Sequence, residues 1–121
     1  MITKLEPNEV FVFGSNTAGQ HDGGAALQAL EQFGAEYGVG EGMTGQCYAF
    51  PTLDERLSKV SSQSLEVSSN LLYACCKANA EKRFLLTKVG CGIAGFAEQG
   101  MRALFTNAPD NLMLPEEWMG K

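Results

Sequence analysis

Short apolar runs rich in β-branched and aromatic residues alternate along the chain with stretches of helical periodicity. The run Val10–Phe13 stops at Gly14 and predicts a short buried strand. The polar, glycine-rich segment Gly14–Gly24 follows it, and a helix is predicted from Ala25 to its C-terminal cap at Gly34. The apolar residues of this helix share one face: Ala26, Leu27, Leu30 and Phe33.

The same alternation continues along the rest of the chain. Further strands are predicted at Cys47–Phe50, Phe84–Val89 and Asn111–Leu114. Pro51 is expected to end the first of these strands. A helix capped by Ser61 or Ser62 is predicted to run to about Ala80, and a shorter one spans Ala97–Phe105. Alternating strands and helices predict one α/β domain over residues 1–121, with a mixed, largely parallel sheet.

Glycine is the unusual component of the composition. The chain has 14 glycines in 121 residues, which is about 12% against a usual ~7%. Only four prolines accompany them and no repeat is present, so neither collagen nor a disordered linker accounts for them. Two glycine clusters directly follow predicted strands, at Gly14 and at Gly90. In open α/β sheets, ligands bind beyond the carboxyl ends of the strands.

The charge balance restricts the classes of partner. Lys and Arg total 9 and Asp and Glu total 14, which gives a formal net charge of −5. No basic run is present, and this argues against binding to a nucleic-acid backbone, which needs clustered cations. Any bound anion is therefore expected to be held by backbone N–H groups, as glycine-rich loops do.

The sequence also predicts the cellular environment. Residues 1–10 lack the apolar core of a signal peptide, and no apolar run approaches the ~18 residues of a membrane-spanning helix. No C-x-x-C pair occurs among the four cysteines, which are Cys47, Cys75, Cys76 and Cys91. This usage is typical of reduced thiols that fill apolar space. We expect a cytoplasmic protein with no metal site, no cofactor and no membrane partner.

Two segments match the pattern G-x-G-x-x-G. Gly90–Gly95 follows a predicted strand, precedes a predicted helix and has Asp110 downstream at about the Rossmann spacing. A dinucleotide-binding half-domain needs more βα units than follow Gly95 in this sequence. Backbone N–H groups of the loop could nevertheless bind a phosphate without that fold. The alternative is a tight turn without a ligand. Gly40–Gly45 precedes a strand instead of opening a helix, so we interpret it as a flexible connection.

The segment between Gly14 and Ala26 is the richest in candidate chemistry. Asn16 is placed to bond a ligand hydroxyl or carbonyl, and His21 is the only histidine of the chain. Asp22 precedes Gly23 and Gly24, which suit a phosphate at a helix N-terminus. The simpler alternatives are that His21 is an exposed loop residue and that Asp22 is a helix cap.

These segments together resemble the macrodomains, a family of ADP-ribose-binding modules. Phe13-Gly14-Ser15-Asn16 with Gly23-Gly24-Ala25-Ala26 is similar to that family's first ligand loop, and Thr44-Gly45-Gln46 to its T-G-E/Q segment. Gly90–Phe96 is similar to its second phosphate loop, G-[ST]-G-I-x-G-F. The resemblance implies a three-layer α/β/α domain. It also implies these ligand-binding residues: Gly14, Ser15, Asn16, Gly23, Gly24, Ala25, Gly90, Cys91, Gly92, Ile93, Ala94, Gly95 and Phe96.

The sequence departs from the family at several positions. The first asparagine of the family's V-N-A-A-N falls on Phe13, and the catalytic aspartate of its hydrolase subgroup falls on Ala26. The aspartate that contacts adenine in the family has no counterpart before Val10. Catalysis would therefore need Asn16, His21 or Asp22 to position a water near the distal ribose.

Three functions follow as alternatives. The first is binding of ADP-ribose or a related NAD-derived adenine diphosphate through two glycine loops and two helix N-termini, with Phe96 packing on a ribose or base. The second is hydrolysis of ADP-ribose from protein, nucleic acid or a small ester. The third is an interaction protein without a ligand, in which the glycines are turns and Phe96 and Tyr48 fill a closed pocket.

Overall fold

A computed structural model describes residues 2–92 and 94–119 of the chain. It confirms the predicted α/β class, with a five-stranded sheet, three α-helices and one short 3₁₀ helix among the described residues. The strands are β1 (Glu9–Asn16), β2 (Gly42–Thr44), β3 (Cys47–Leu53), β4 (Arg83–Leu86) and β5 (Leu112–Met113). The α-helices are α1 (Gly24–Gln32), α2 (Ser62–Ala78) and α3 (Glu98–Leu104), and the 3₁₀ helix is Glu116–Trp118.

The strand order in the sheet is β2-β3-β1-β4-β5. All neighbouring pairs are parallel except β2 with β3, so the sheet is mixed and largely parallel, as predicted. From β1 the chain returns to the sheet on one side, through β2 and then β3, whereas from β4 it continues to the other side, at β5. The loops that follow β1 and β4 therefore diverge and leave a crevice at the carboxyl ends of these two adjacent strands, where ligands bind in such sheets.

Helices cover both faces of the sheet and form the outer layers. Alternate residues of the strands point to opposite faces. Phe11 and Phe13 pack with α1 in one cluster, whereas Val10 and Val12 pack with α2 and α3 in the other. The larger cluster also holds Trp118, which is buried and stacks on Phe105, and this contact anchors the 3₁₀ helix to the core.

Helix α2 begins where the sequence predicts. The side chain of Ser61 caps it, because the Ser61 hydroxyl accepts a hydrogen bond from the backbone N–H of Ser64 at 3.1 Å. Its buried face includes Leu65, Leu72 and Cys76. Within the described part of the chain, no helix combines the length and the apolar character that crossing a bilayer requires.

Three predicted strand ends are wrong by three residues each. Strand β4 ends at Leu86 and not at the predicted Val89, so residues 87–89 belong to the loop that follows it. Strand β1 extends beyond Gly14 to Asn16, so the first residues of the predicted loop belong to the sheet. Strand β3 continues through Pro51 to Leu53. Strand β2, which the sequence analysis missed, pairs only with Cys47–Ala49. Beyond that pairing β3 is an edge strand, and there a proline removes no hydrogen bond from the ladder on that side.

The glycine-rich segment before β3 packs closely against the chain after β1. The Ser15 hydroxyl donates to the Gly40 carbonyl at 2.5 Å, and the Gly38 N–H donates to the Gly19 carbonyl at 2.8 Å. A Cβ on Gly40 would lie 2.5 Å from the Asn16 carbonyl oxygen and 2.6 Å from that of Thr17. Close approach of two backbones is therefore the structural role of Gly40, where the sequence suggested only a flexible connection.

Candidate functional site

An open cavity, called the crevice below, lies at the carboxyl ends of β3, β1 and β4. Its volume is about 550 Å³, within the range of about 300–1,000 Å³ that is usual for small-molecule sites. Three stretches of chain line it: the end of β1 with the start of α1, the end of β3 with the turn after it, and the segment after β4. The lining residues are Gly14, Ser15, Asn16, Gln20, Asp22, Gly23, Gly24, Ala25, Ala26, Thr52, Leu53, Leu57, Thr87, Lys88, Val89, Gly90, Cys91, Gly92, Ala94 and Glu98.

The first glycine loop, residues 17–23, is held by the side chain of Asn16. The Asn16 amide donates to the Gln20 carbonyl at 2.9 Å, and its oxygen accepts from the Gln20 N–H at 3.0 Å. Asn16 is itself buried, and the Gly19 N–H donates to its backbone carbonyl at 2.9 Å. Asn16 thus lines the crevice and at the same time fixes the loop that leads to α1.

Helix α1 presents an uncapped N-terminus to the crevice. Gly23 is the N-cap residue and has no side chain to bond the first turn, and that turn contains no acidic residue. Gly24 adopts a left-handed conformation with φ of 59°. The first N–H groups of a helix have no intrahelical partner, and they carry the positive end of its dipole. An anion in the crevice therefore meets free donors at Gly24–Ala26.

The second glycine loop, residues 90–96, lines the same crevice as this helix terminus. The Phe96 N–H donates to the Gly90 carbonyl at 2.7 Å and the Gly95 N–H to the Gly92 carbonyl at 3.0 Å, so the loop closes on itself. The predicted ligand residue Ile93 lies outside the described residues. Helix α3 begins at Glu98, three residues beyond Gly95, with that acid in its first turn. The second candidate phosphate-binding segment is therefore a loop and not a helix N-terminus.

Lys88 supplies positive charge at the β4 end of the crevice. Its ammonium lies 3.2 Å from a Glu98 carboxylate oxygen and 3.6 Å from one of Glu117. The hydrogen bond to Glu98 raises the pKa of Lys88, and Glu117 adds to the effect. The Trp118 indole N–H donates to Glu98 at 3.2 Å, and this bond, followed by that from Lys88, lowers the pKa of the Glu98 carboxyl. Among the described residues that line the crevice, Lys88 alone carries positive charge.

Three predicted site residues have other surroundings than the sequence suggested. His21 is fully buried, its ring lies edge-on to Phe13 at 5.1 Å, and neither ring nitrogen has a hydrogen-bond partner among the described residues. Phe96 packs against the larger core cluster below Lys59, whose ammonium lies 5.0 Å from the ring centroid. Neither ring lines the crevice. The third residue, Gly95, also lies outside the lining.

Asp22 lies at the rim of the crevice and is exposed. The Tyr37 hydroxyl donates to its carboxylate, with oxygen–oxygen distances of 3.4 and 3.5 Å. The pKa of the Tyr37 hydroxyl is raised, mainly by burial and secondly by the neighbouring charge of Asp22. The structure thus brings Asp22 and Asn16 to the same cavity, whereas His21 faces the α1 side of the sheet.

Sequence reasoning missed the wall at the β3 end of the crevice. Thr52, Leu53 and Leu57 line the cavity there. Thr52 is buried, and its hydroxyl lies 3.4 Å from the Ser15 carbonyl. Extending the predicted strand β3 to Leu53 would have located this wall. Pro51 instead predicts the end of that strand.

Comparisons with known proteins do not assign this site. No protein-family model matches the chain, and neither curated proteins nor solved structures include a match. In the described ranges 2–92 and 94–119, no group of three or more His, Cys, Asp or Glu side chains is placed to hold a metal ion.

Proposed function

We propose that the protein binds ADP-ribose or a related NAD-derived adenine diphosphate in the crevice. One observation carries the proposal: the uncapped N-terminus of α1 and the second glycine loop flank one cavity, on loops that follow adjacent parallel strands. The first turn of α1 offers backbone donors to a phosphate on one side. On the other side, the N–H groups of Cys91, Gly95 and Phe96 are bonded within the chain, so a second phosphate would bind to the other N–H groups of the second loop. The resemblance of both segments to the macrodomain ligand loops supports the same ligand class.

The electrostatics agree with a ligand held by backbone groups. Lys88 is engaged by Glu98 and Glu117, and the chain as a whole carries a net charge of −5. A polyanion such as a nucleic-acid backbone would find few cations in the crevice. A single diphosphate needs only directed N–H groups and the helix dipole.

The two other functions have less support. A ligand-free interaction protein would have its cavity filled by Phe96 and Tyr48, but both side chains pack in the core cluster away from the crevice lining. Hydrolysis would need an activated water, but the Asn16 amide is engaged with Gln20 and His21 is buried. Of the three predicted catalytic residues, only Asp22 remains, at the exposed rim of the crevice, so we propose binding without turnover.

Calorimetry with ADP-ribose tests the proposal directly. We expect saturable binding with one site per chain. At a ligand concentration one hundred times the Kd, binding should stabilise the fold by about 2.7 kcal/mol and raise the Tm by about 10 °C. Adenosine, which lacks phosphates, serves as the matched control and should cause little shift. Absence of heat and of a Tm shift with ADP-ribose, NAD and ADP alike would refute the proposal.

The free cysteines provide a second, independent test. Cys91 lines the crevice, whereas Cys75 is half-buried on α2 and does not. Burial raises the pKa of both thiols, and raises those of Cys47 and Cys76 to about 12. Because the thiolate is the reactive form, alkylation by iodoacetamide should accelerate as the pH rises above the ordinary thiol pKa of about 8.5.

We expect ADP-ribose to slow alkylation of Cys91 at least about tenfold, because a bound ligand covers the crevice lining. Cys75 should react at the same rate with and without ligand, and Cys47 and Cys76 only after unfolding. Peptide mass spectrometry over a time course measures all four rates. Equal protection of Cys75 and Cys91 would indicate general stabilisation and not a ligand in the crevice.

A further inference from the structure

We infer that Leu57 is a specificity-determining residue, which packs on an uncharged group attached to the phosphates of the ligand. The inference rests on the proposed function and extends it. It places a sugar or a base at the β3 end of the crevice. The alternative occupant of that end is a free terminal phosphate. The observations that carry it concern the turn between β3 and α2, which sequence reasoning left uninterpreted.

This turn, residues 54–58, is tightly hydrogen-bonded. The Asp54 carboxylate accepts from the N–H groups of Arg56 and Ser58 at 2.9 and 3.0 Å. The Asp54 N–H donates to the Ser58 carbonyl at 2.8 Å, and the Leu57 N–H to the Asp54 carbonyl at 3.0 Å. Leu53 and Lys59 form an antiparallel bridge at its base. The turn therefore holds its residues in one arrangement.

Leu57 is the unexpected residue in this turn. It adopts a left-handed conformation with φ of 62°, and no other described non-glycine residue has a positive φ. Hairpin turns of this kind normally carry glycine or asparagine there, because a larger residue costs about 1–2 kcal/mol. The side chain gains little in return from burial, since 57% of it is exposed. A strained, exposed leucine is poorly explained by folding and points to a role in binding.

The turn is fastened to both glycine loops. On one side the hydroxyl of Thr17, the first residue of the first loop, donates to the Glu55 carboxylate at 3.2 Å. On the other side the Lys59 ammonium donates to the Gly95 carbonyl at 3.2 Å and lies over the Phe96 ring. Leu57 lies between these two attachments and lines the crevice. The Leu57 side chain thus lies at the β3 end of the crevice in which we propose that the phosphates bind.

The chemistry of this wall favours an uncharged group. Leu53 and Leu57 are its aliphatic members, and the ammonium of Lys59 is directed to the second loop instead. A terminal phosphate against these side chains would lose hydration without gaining donors. The C–H face of a ribose, or a base, would instead bury apolar surface. The ligand class is therefore a diphosphate that carries a further uncharged substituent at the β3 end.

Four variants test this inference by calorimetry. Leu57→Gly removes the side chain and Leu57→Asn makes it polar, and both residues accept the left-handed conformation, so the fold should be kept. Leu57→Met keeps an apolar side chain. Val67→Ala, which truncates a similarly exposed aliphatic residue on α2, is the control. The ligands are ADP-ribose, ADP and inorganic pyrophosphate, the last of which has no substituent to contact Leu57.

For ADP-ribose we expect a loss of affinity of about five- to tenfold in Leu57→Gly and Leu57→Asn. Leu57→Met and Val67→Ala should remain near wild type, pyrophosphate affinity should be unchanged, and the Tm of Leu57→Gly should not fall. A loss with ADP as well assigns the contact to adenosine, and a loss with ADP-ribose alone assigns it to the terminal ribose.

Two results would overturn the inference while the proposed function stands. One is unchanged ADP-ribose affinity in Leu57→Gly, and the other is an equal loss for ADP-ribose and pyrophosphate. If the wild-type protein binds none of ADP-ribose, NAD and ADP, the proposed function is refuted, and this inference with it.

Discussion

Replacing Gly24 by aspartate should lower the affinity for ADP-ribose by about 100-fold, which corresponds to about 2.7 kcal/mol. Gly24 opens α1 and lines the crevice at the point where we propose that phosphate meets the free N–H groups. An aspartate there brings a fixed carboxylate to the same donors. It therefore competes with the phosphate for them and repels it.

The matched control is Gly24→Asn, whose side chain has the same shape as that of aspartate but carries no charge. No atom lies within 4 Å of a Cβ added to Gly24, so either side chain fits, and both tolerate the φ of 59° better than other residues do. We expect Gly24→Asn to bind within about fivefold of wild type. The Tm of Gly24→Asp should equal or exceed that of Gly24→Asn, because the carboxylate interacts favourably with the helix dipole. Equal losses of affinity in both variants would show that no phosphate is held there.

Replacing Gly40 by alanine should reduce the free energy of unfolding by about 3 kcal/mol and the Tm by about 10 °C. The new methyl group would lie 2.5 Å from the Asn16 carbonyl oxygen and 2.6 Å from that of Thr17. Both atoms belong to the backbone at the end of the central strand, so neither can move without displacing the chain. The displacement would also break the Ser15–Gly40 hydrogen bond and shift the first glycine loop.

The control for this variant is Gly100→Ala in α3. A Cβ on Gly100 has no atom within 4 Å, and alanine is the better helix former, so this change should stabilise the protein by about 0.5–1 kcal/mol. Urea denaturation measures both variants, and calorimetry on the folded fraction should show weakened ADP-ribose binding for Gly40→Ala alone. Wild-type stability of Gly40→Ala would contradict the close approach of the two backbones.

The sequence was informative wherever local pattern decides the structure. The apolar run Val10–Phe13 and the helix start at Ser61 or Ser62 led to the correct elements. The general geometry of parallel α/β sheets then placed the glycine clusters after β1 and β4 at one edge. For this reason most predicted ligand residues line the crevice.

The parts that escaped prediction depend on contacts between distant segments. In the sequence, Pro51 predicts a strand end. In the structure, β2 is too short to pair with Pro51, so the proline lies on the free edge of β3 and removes no hydrogen bond there. His21 has the composition of a catalytic candidate, but the ring of Phe13 and the neighbouring Tyr37 enclose it. Leu57 carries no local signal of a binding role, since only the hydrogen bonds of Asp54 reveal the left-handed turn around it.

The walls of the crevice come from three stretches of chain that are remote in sequence, residues 14–26, 52–57 and 87–98. Parallel pairing of β1 with β3 and with β4 is what assembles them, and such non-local pairing forms late because loop closure must precede it. Peptides that contain a single glycine motif should therefore have negligible affinity. The ligand would then bind only the native state. All of the stabilisation that its binding provides would therefore add to the free energy of unfolding. A bound nucleotide would protect the amides of all three segments from hydrogen exchange as one cooperative unit.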